Sequence, residues 1–121
     1  MMKRFLIITQ HTDTFSKLAK GLSAEKTNEV IWANSVEAAR SAARASIDLI
    51  IIDERLDGRS GINIAKDMIR VNAMAQLALV STLSPEKFHE ASEGLGVLAS
   101  LPSHPDEKDA EQLLNALAAL S

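Results

Sequence analysis

Cysteine is absent from this chain of 121 residues, which excludes disulfides, thiolate nucleophiles and cysteine-based zinc sites. A reducing, cytoplasmic location is the expected one. Histidine is scarce, and His11, His89 and His104 lie far apart without ligand spacing, so surface positions are expected for all three. The 13 Lys and Arg residues are outnumbered by 16 Asp and Glu and are scattered, giving a net charge of −3. That leaves no basic stripe, and direct binding to nucleic acid or to an anionic membrane is not expected. No long apolar run is present. Phe5 to Ile8, Leu49 to Ile52 and Leu77 to Val80 are the bulkiest, far short of the roughly 20 residues of a membrane span. The start of the chain has basic Lys3 and Arg4 ahead of an apolar run that stops at Thr9 and Gln10. This is too short for the core of a signal peptide and reads as a strand.

What is present is a hydrophobic content of 46% on a length that suits one core. A single domain, residues 1–121, is therefore expected. Phe5 to Ile8 is a short continuous apolar run of the kind that forms a strand buried on both faces. The same signature recurs at Glu29 to Ala33, Asp48 to Ile52, Leu77 to Val80 and Val97 to Leu101. Trp32, in the second of these, is read as core packing.

Between the strands the apolar period changes to that of a helix. Phe15, Leu18 and Leu22 form the first stripe. Ser35 caps an alanine-rich second helix, Val36 to Ala45, whose small face (Val36, Ala39, Ala43) must pack close to a sheet. Ile62, Ala65 and Ile69 mark the third. Ser84, Pro85 and Glu86 provide a cap, an N1 proline and an acidic first turn for the fourth. Asp106 to Leu120 is the fifth, with Ala110, Leu113, Leu117 and Leu120 on one side. Five alternations of strand and helix predict an α/β, flavodoxin-like, doubly wound parallel sheet of five strands in the order 2-1-3-4-5, with five helices on both faces. In that order the carboxyl ends of the first and third strands flank the switch point. A site should therefore be built from Thr9, Gln10 and Asp53.

The segment Ile47 to Gly61, IDLIIIDERLDGRSG, resembles the third strand and following loop of response-regulator receiver domains of two-component signalling, the CheY-like fold. An apolar strand ends at Asp53, and Gly61 follows eight residues later, where the next helix begins. The likeness extends over nearly the whole chain. Lys3 to Gln10 is similar to the first strand, Leu77 to Ser84 to the fourth with its hydroxyl residue, and Gly94 to Pro102 to the approach to the fifth and its proline. The resemblance implies that Asp53 is the candidate phosphoacceptor, receiving a phosphoryl group from a histidine kinase with help from a divalent cation, a lysine and a hydroxyl.

The supporting residues depart from that pattern. Thr9 and Gln10 stand where the resemblance implies an acidic pair for magnesium, a poor donor set for a hard cation. Leu101, before Pro102, stands in place of the lysine, and Leu98 in place of the switch aromatic. Ser81 matches the strand-four hydroxyl. Asp57 lies near the place of an absent proline, and Arg55 is a candidate to neutralise Asp53 in place of a metal. The supporting pocket is thus expected from Thr9, Gln10, Arg55, Ser81 and Leu101, with no metal site beyond a weak candidate at Asp53 and no cofactor.

These departures favour a degenerate receiver, or pseudo-receiver, acting as a protein-interaction module rather than an enzyme. The expected partners are a histidine kinase or another signalling protein, or a second copy in a homodimer, met on the face of the fourth helix, fifth strand and fifth helix. Leu114 is either part of that face or ordinary burial. The competing reading is a conventional phospho-accepting switch that uses Asp53. A third is a flavodoxin-like FMN binder, because Thr9, Thr12 and Thr14 follow the first strand where a phosphate loop would lie. That loop has no glycine for close backbone approach and carries Asp13, which would repel a phosphate.

Overall fold

In the computed structural model, which describes residues 2–120, five parallel strands form the central sheet: β1 (Arg4–Ile8), β2 (Glu29–Ala33), β3 (Leu49–Ile52), β6 (Gln76–Val80) and β7 (Val97–Leu101), in the order β2-β1-β3-β6-β7. This is the predicted arrangement with an extra pair inserted. That pair, β4 (Arg55–Leu56) and β5 (Arg59–Ser60), is a small antiparallel hairpin between β3 and the next helix.

Five helices cover the sheet: α1 (Ser16–Leu22), preceded by a 3-10 turn at Thr12–Phe15, then α2 (Val36–Ala43), α3 (Gly61–Val71), α4 (Pro85–Ala91) and α5 (Glu107–Ala119). Successive side chains of a strand point to opposite faces, which sorts the core into two layers. Leu6, Ile8, Ile50, Ile52 and Leu79 pack against α2 and α3. Phe5, Ile7, Leu49, Ile51 and Val80 pack against α1 and α5. The strands β1 and β3 have no polar face at all, as parallel strands covered on both sides require.

The two serine caps read from the sequence are made: Ser35 accepts from the Ala38 N–H and Ser84 from the Lys87 N–H. At the start of α5 the structure adds a capping box between Asp106 and Asp109. Two expectations fail. Trp32 is not core: it lies on edge strand β2 and is 40% exposed, because an edge strand has a neighbour on one side only. Leu120 follows the end of α5 and is also exposed, outside the stripe of Ala110, Leu113 and Leu117. Leu114 is partly buried against that layer. His11, His89 and His104 are exposed, as expected. Among the described residues no helix is long and apolar enough to cross a membrane.

Candidate functional site

The register of the sheet builds the site. Ile8 pairs with Ile52, so the next residues, Thr9 and Asp53, emerge side by side from the carboxyl ends of β1 and β3. The Asp53 N–H still donates to the Ile8 carbonyl at 3.0 Å, which fixes the aspartate backbone to β1. Its side chain is then held on both oxygens. Thr9 Oγ1 donates to Asp53 Oδ2 at 2.6 Å, and the Glu54 N–H donates to Asp53 Oδ1 at 2.7 Å. Thr9 is only 1% exposed, and its hydroxyl also accepts from the His11 N–H. A buried hydroxyl satisfied twice in this way is a rigid partner rather than a mobile one.

Gly61 closes the other side. Its N–H donates to the Glu54 carbonyl at 2.8 Å, and a Cβ there would lie 2.5 Å from the Asp53 carbonyl oxygen. The spacing from Asp53 to Gly61 thus has a steric cause: the start of α3 runs against the backbone that carries the aspartate.

The hairpin between them is the part the sequence reading missed. Asp57 and Gly58 form its tip with φ of 52° and 73°, a two-residue turn with both central residues left-handed, for which Asp-Gly is a favoured pair. That dipeptide was the available signal. Asp57 is no passive loop residue: its carboxylate accepts from Gln10 Nε2 at 3.1 Å and from the Val36 N–H, at the first turn of α2, at 3.2 Å. On the far side of the tip, Arg59 donates to Asp67 on α3 at 2.8 Å, beside Arg40 of α2 at 2.7 Å. These two guanidiniums hold the Asp67 carboxyl below the usual carboxylate range. The hairpin is therefore tied to β1, α2 and α3 at once.

Of the residues expected around Asp53, Thr9 is the one that hydrogen-bonds its side chain among the described residues. Gln10 is turned to Asp57. Arg55 is exposed on β4, and among the described residues it enters no ion pair, so the expected neutralisation of Asp53 by Arg55 is not made. Ser81 hydrogen-bonds locally, accepting from the Leu83 N–H at 3.1 Å. Leu101 does not line a pocket: it pairs with Val80, is 4% exposed and joins the core layer under α1 and α5. A contact that sequence reasoning missed links the two loops. Glu54 Oε2 accepts from both the N–H and the Oγ1 of Thr82, at 2.6 and 2.8 Å.

Magnesium, which the resemblance implies, takes hard anionic oxygens. Here Asp53 is the one carboxylate beside Thr9, Gln10 is engaged elsewhere, and among the described residues no three His, Asp or Glu side chains group as a metal site. This donor set does not fit the ion. Nor is the loop after β1 shaped as a phosphate cradle, since the Thr14 N–H is spent on the His11 carbonyl and the His11 N–H on Thr9.

A strand order of β2-β1-β3-β6-β7 with an aspartate ending the central strand is the receiver-type, CheY-like fold. Solved structures share it over almost the full length. A CheY-like response regulator receiver domain protein from Methanospirillum hungatei JF-1 superposes with a TM-score of 0.81 at 16% identity, over 98% of this chain and 96% of that one. A two-component response regulator from Clostridium difficile gives 0.79 at 19% identity, over 97% and 96%. A response regulator from Burkholderia pseudomallei, described with a phosphorylated aspartic acid, gives 0.76 at 22% identity, over 95% of this chain and 66% of that one. No protein-family model and no curated protein matches the sequence.

Proposed function

We propose that this chain is a receiver domain of two-component, phosphorelay signalling that works as a protein-interaction module, with magnesium-assisted phosphorylation of Asp53 impaired or absent. One observation carries the reading: Asp53 is held by a neutral hydroxyl, Thr9 at 2.6 Å, in the place where an acidic pair would bring a cation. Aspartyl phosphorylation is a charge-neutralisation problem. Each preorganised stabiliser removed from such a site costs about 10² to 10³ in rate, and both the metal donors and the lysine are replaced here, the latter by buried Leu101. The module would sit in the cytoplasm as a single domain, and bind a histidine kinase, another signalling protein or a second copy without catalysing a reaction of its own.

A conventional switch is the second reading. It is favoured by the position of Asp53, partly exposed at the end of β3, and by the phosphorylated aspartic acid described for the Burkholderia neighbour. Beryllofluoride with magnesium separates the two. The amide resonances of Asp53, Glu54 and Thr82 are expected to stay in place when the complex is added; fluoride-dependent shifts of these signals would establish the conventional switch.

A further inference from the structure

The two edges of the central sheet are built differently. At β7 the pairing with β6 shifts register between Leu77 and Ala78, an irregularity of the kind that blunts an edge. At β2 the register with β1 runs unbroken from Glu29 to Ala33, and the strand, EVIWA, holds neither proline nor lysine. The ladder decides which of its main-chain groups point outward. The Glu29 N–H donates to the Lys3 carbonyl at 2.9 Å, and the Ala33 carbonyl accepts from the Thr9 N–H at 3.0 Å, so Glu29, Ile31 and Ala33 turn their main-chain groups to β1. Alternation turns the N–H and C=O of Val30 and Trp32 the other way, where among the described residues no strand pairs with them. Trp32, the one tryptophan of the chain, stands 40% exposed on this edge, with partly buried Val30 on the same face.

We infer that β2 is the contact of a homodimer, pairing antiparallel with β2 of a second copy about a two-fold axis at Ile31. The strand is complementary to itself in this register. Val30 comes opposite Trp32 of the second copy and Trp32 opposite its Val30, so each opposed pair exchanges both of its outward hydrogen bonds. An axis at Val30 would set Trp32 against Asn28, and one at Trp32 would set Val30 against Asn34, both outside the strand. On the face that Val30 shares with the α1–α5 layer, the aromatic packs on a β-branched side chain; on the α2–α3 face, Ile31 meets Ile31. The one charge on the strand, Glu29, comes opposite Ala33 and is offset by Arg4 at 3.3 Å, so no like charges meet. The contact closes at two copies, and it covers the regular edges while leaving the irregular β7 edges outside. The inference rests on the interaction-module reading and names a second copy as the partner.

A strand of 5 residues buries less area than a tight interface, so a Kd of about 0.1 mM is expected. Sedimentation equilibrium of the full chain from about 10 µM to 1 mM, without magnesium or a phosphoryl donor, should show monomer giving way to dimer. Trp32 emission should move to shorter wavelength over the same range. Val30→Pro removes an outward N–H and spares the ladder to β1, while Trp32→Lys puts a charge on the edge at an exposed position. Each should weaken the dimer about tenfold or more, with circular dichroism confirming the fold; if Val30→Pro does not fold, Trp32→Lys decides alone. A monomer throughout the range would overturn the inference. So would a dimer that the folded variants leave unchanged, which would move the contact to another face. Asp53→Asn should dimerise as the wild type does. Loss of the dimer would therefore leave the reading of Asp53 standing, and an acyl phosphate on Asp53 would leave the dimer standing.

Discussion

Thr9 and Asp53, brought level by the pairing of Ile8 with Ile52, share a hydrogen bond of 2.6 Å at the carboxyl edge of the sheet. The hydroxyl is buried and bonded in two directions, while the aspartate has its second oxygen on the Glu54 N–H. Removing the hydroxyl while keeping the shape should therefore expose the value of the pair. Thr9→Val is expected to destabilise the fold by about 1 to 3 kcal/mol, the cost of leaving hydrogen-bonding groups without a partner in a partly buried site. Urea denaturation of the variant against the wild type measures it; a change below about 0.5 kcal/mol would mean that Asp53 is satisfied by water instead.

Two glycines of the β3–α3 connection should differ in their response to alanine. At Gly61 a Cβ would meet the Asp53 carbonyl oxygen at 2.5 Å, backbone against backbone, and something must move. At Gly58 a Cβ would meet nothing within 4 Å, but φ is 73°. Gly61→Ala is expected to cost about 2 kcal/mol or more, and Gly58→Ala about 1 kcal/mol from the left-handed backbone alone. Thermal unfolding of both variants should give this order, and the reverse order would contradict the close approach of α3 to Asp53.

Acid should loosen the tie between the hairpin and α3. The carboxyl of Asp67 is held below its ordinary value, first by the hydrogen bond from Arg40, then by that from Arg59. Its folded value lies below its unfolded one, so its contribution to stability is complete above the ordinary carboxylate range and fades as pH falls through the folded value. Asp67→Asn should lose stability near pH 7 by up to about 1 kcal/mol, the scale of a partly exposed ion pair, and should converge on the wild type toward about pH 2, below the ordinary carboxylate value. Denaturation midpoints across that range read the result. A constant gap at all pH values would show that the aspartate acts by shape rather than charge.

Much of this architecture could be read from the residues because the apolar runs are short, continuous and cleanly bounded. Glu29 to Ala33 and Val97 to Leu101 were placed at the ends they occupy, and Ser35 and Ser84 identified helix starts through local chemistry. What escaped depends on distance along the chain or on position in the sheet. Trp32 belongs to an apolar strand, but how much of a strand is covered depends on its place at the edge. The Glu54–Thr82 contact spans 28 residues, and no local spacing announces it. The hairpin is a different case. Asp57 and Gly58 did signal a tight turn, but the resemblance supplied an ordinary loop for that stretch. Around the site, the position of Asp53 beside Thr9 was legible from strand order, whereas the directions of Gln10, Arg55 and Leu101 were set by partners elsewhere: Asp57, solvent and the α1–α5 core layer.

The central claim is that Asp53 has too little charge around it to take up a phosphoryl group, and its most direct test is incubation with acetyl phosphate and magnesium followed by mass mapping of Asp53. A Thr9→Asp, Gln10→Asp variant, which restores an acidic pair, serves as the comparison. The account predicts that the wild-type aspartate stays unmodified, while the double variant is stabilised by magnesium and labels about 10²-fold faster or more. Ready formation of an acyl phosphate on Asp53 of the wild-type protein, at a rate the added carboxylates do not improve, would contradict it.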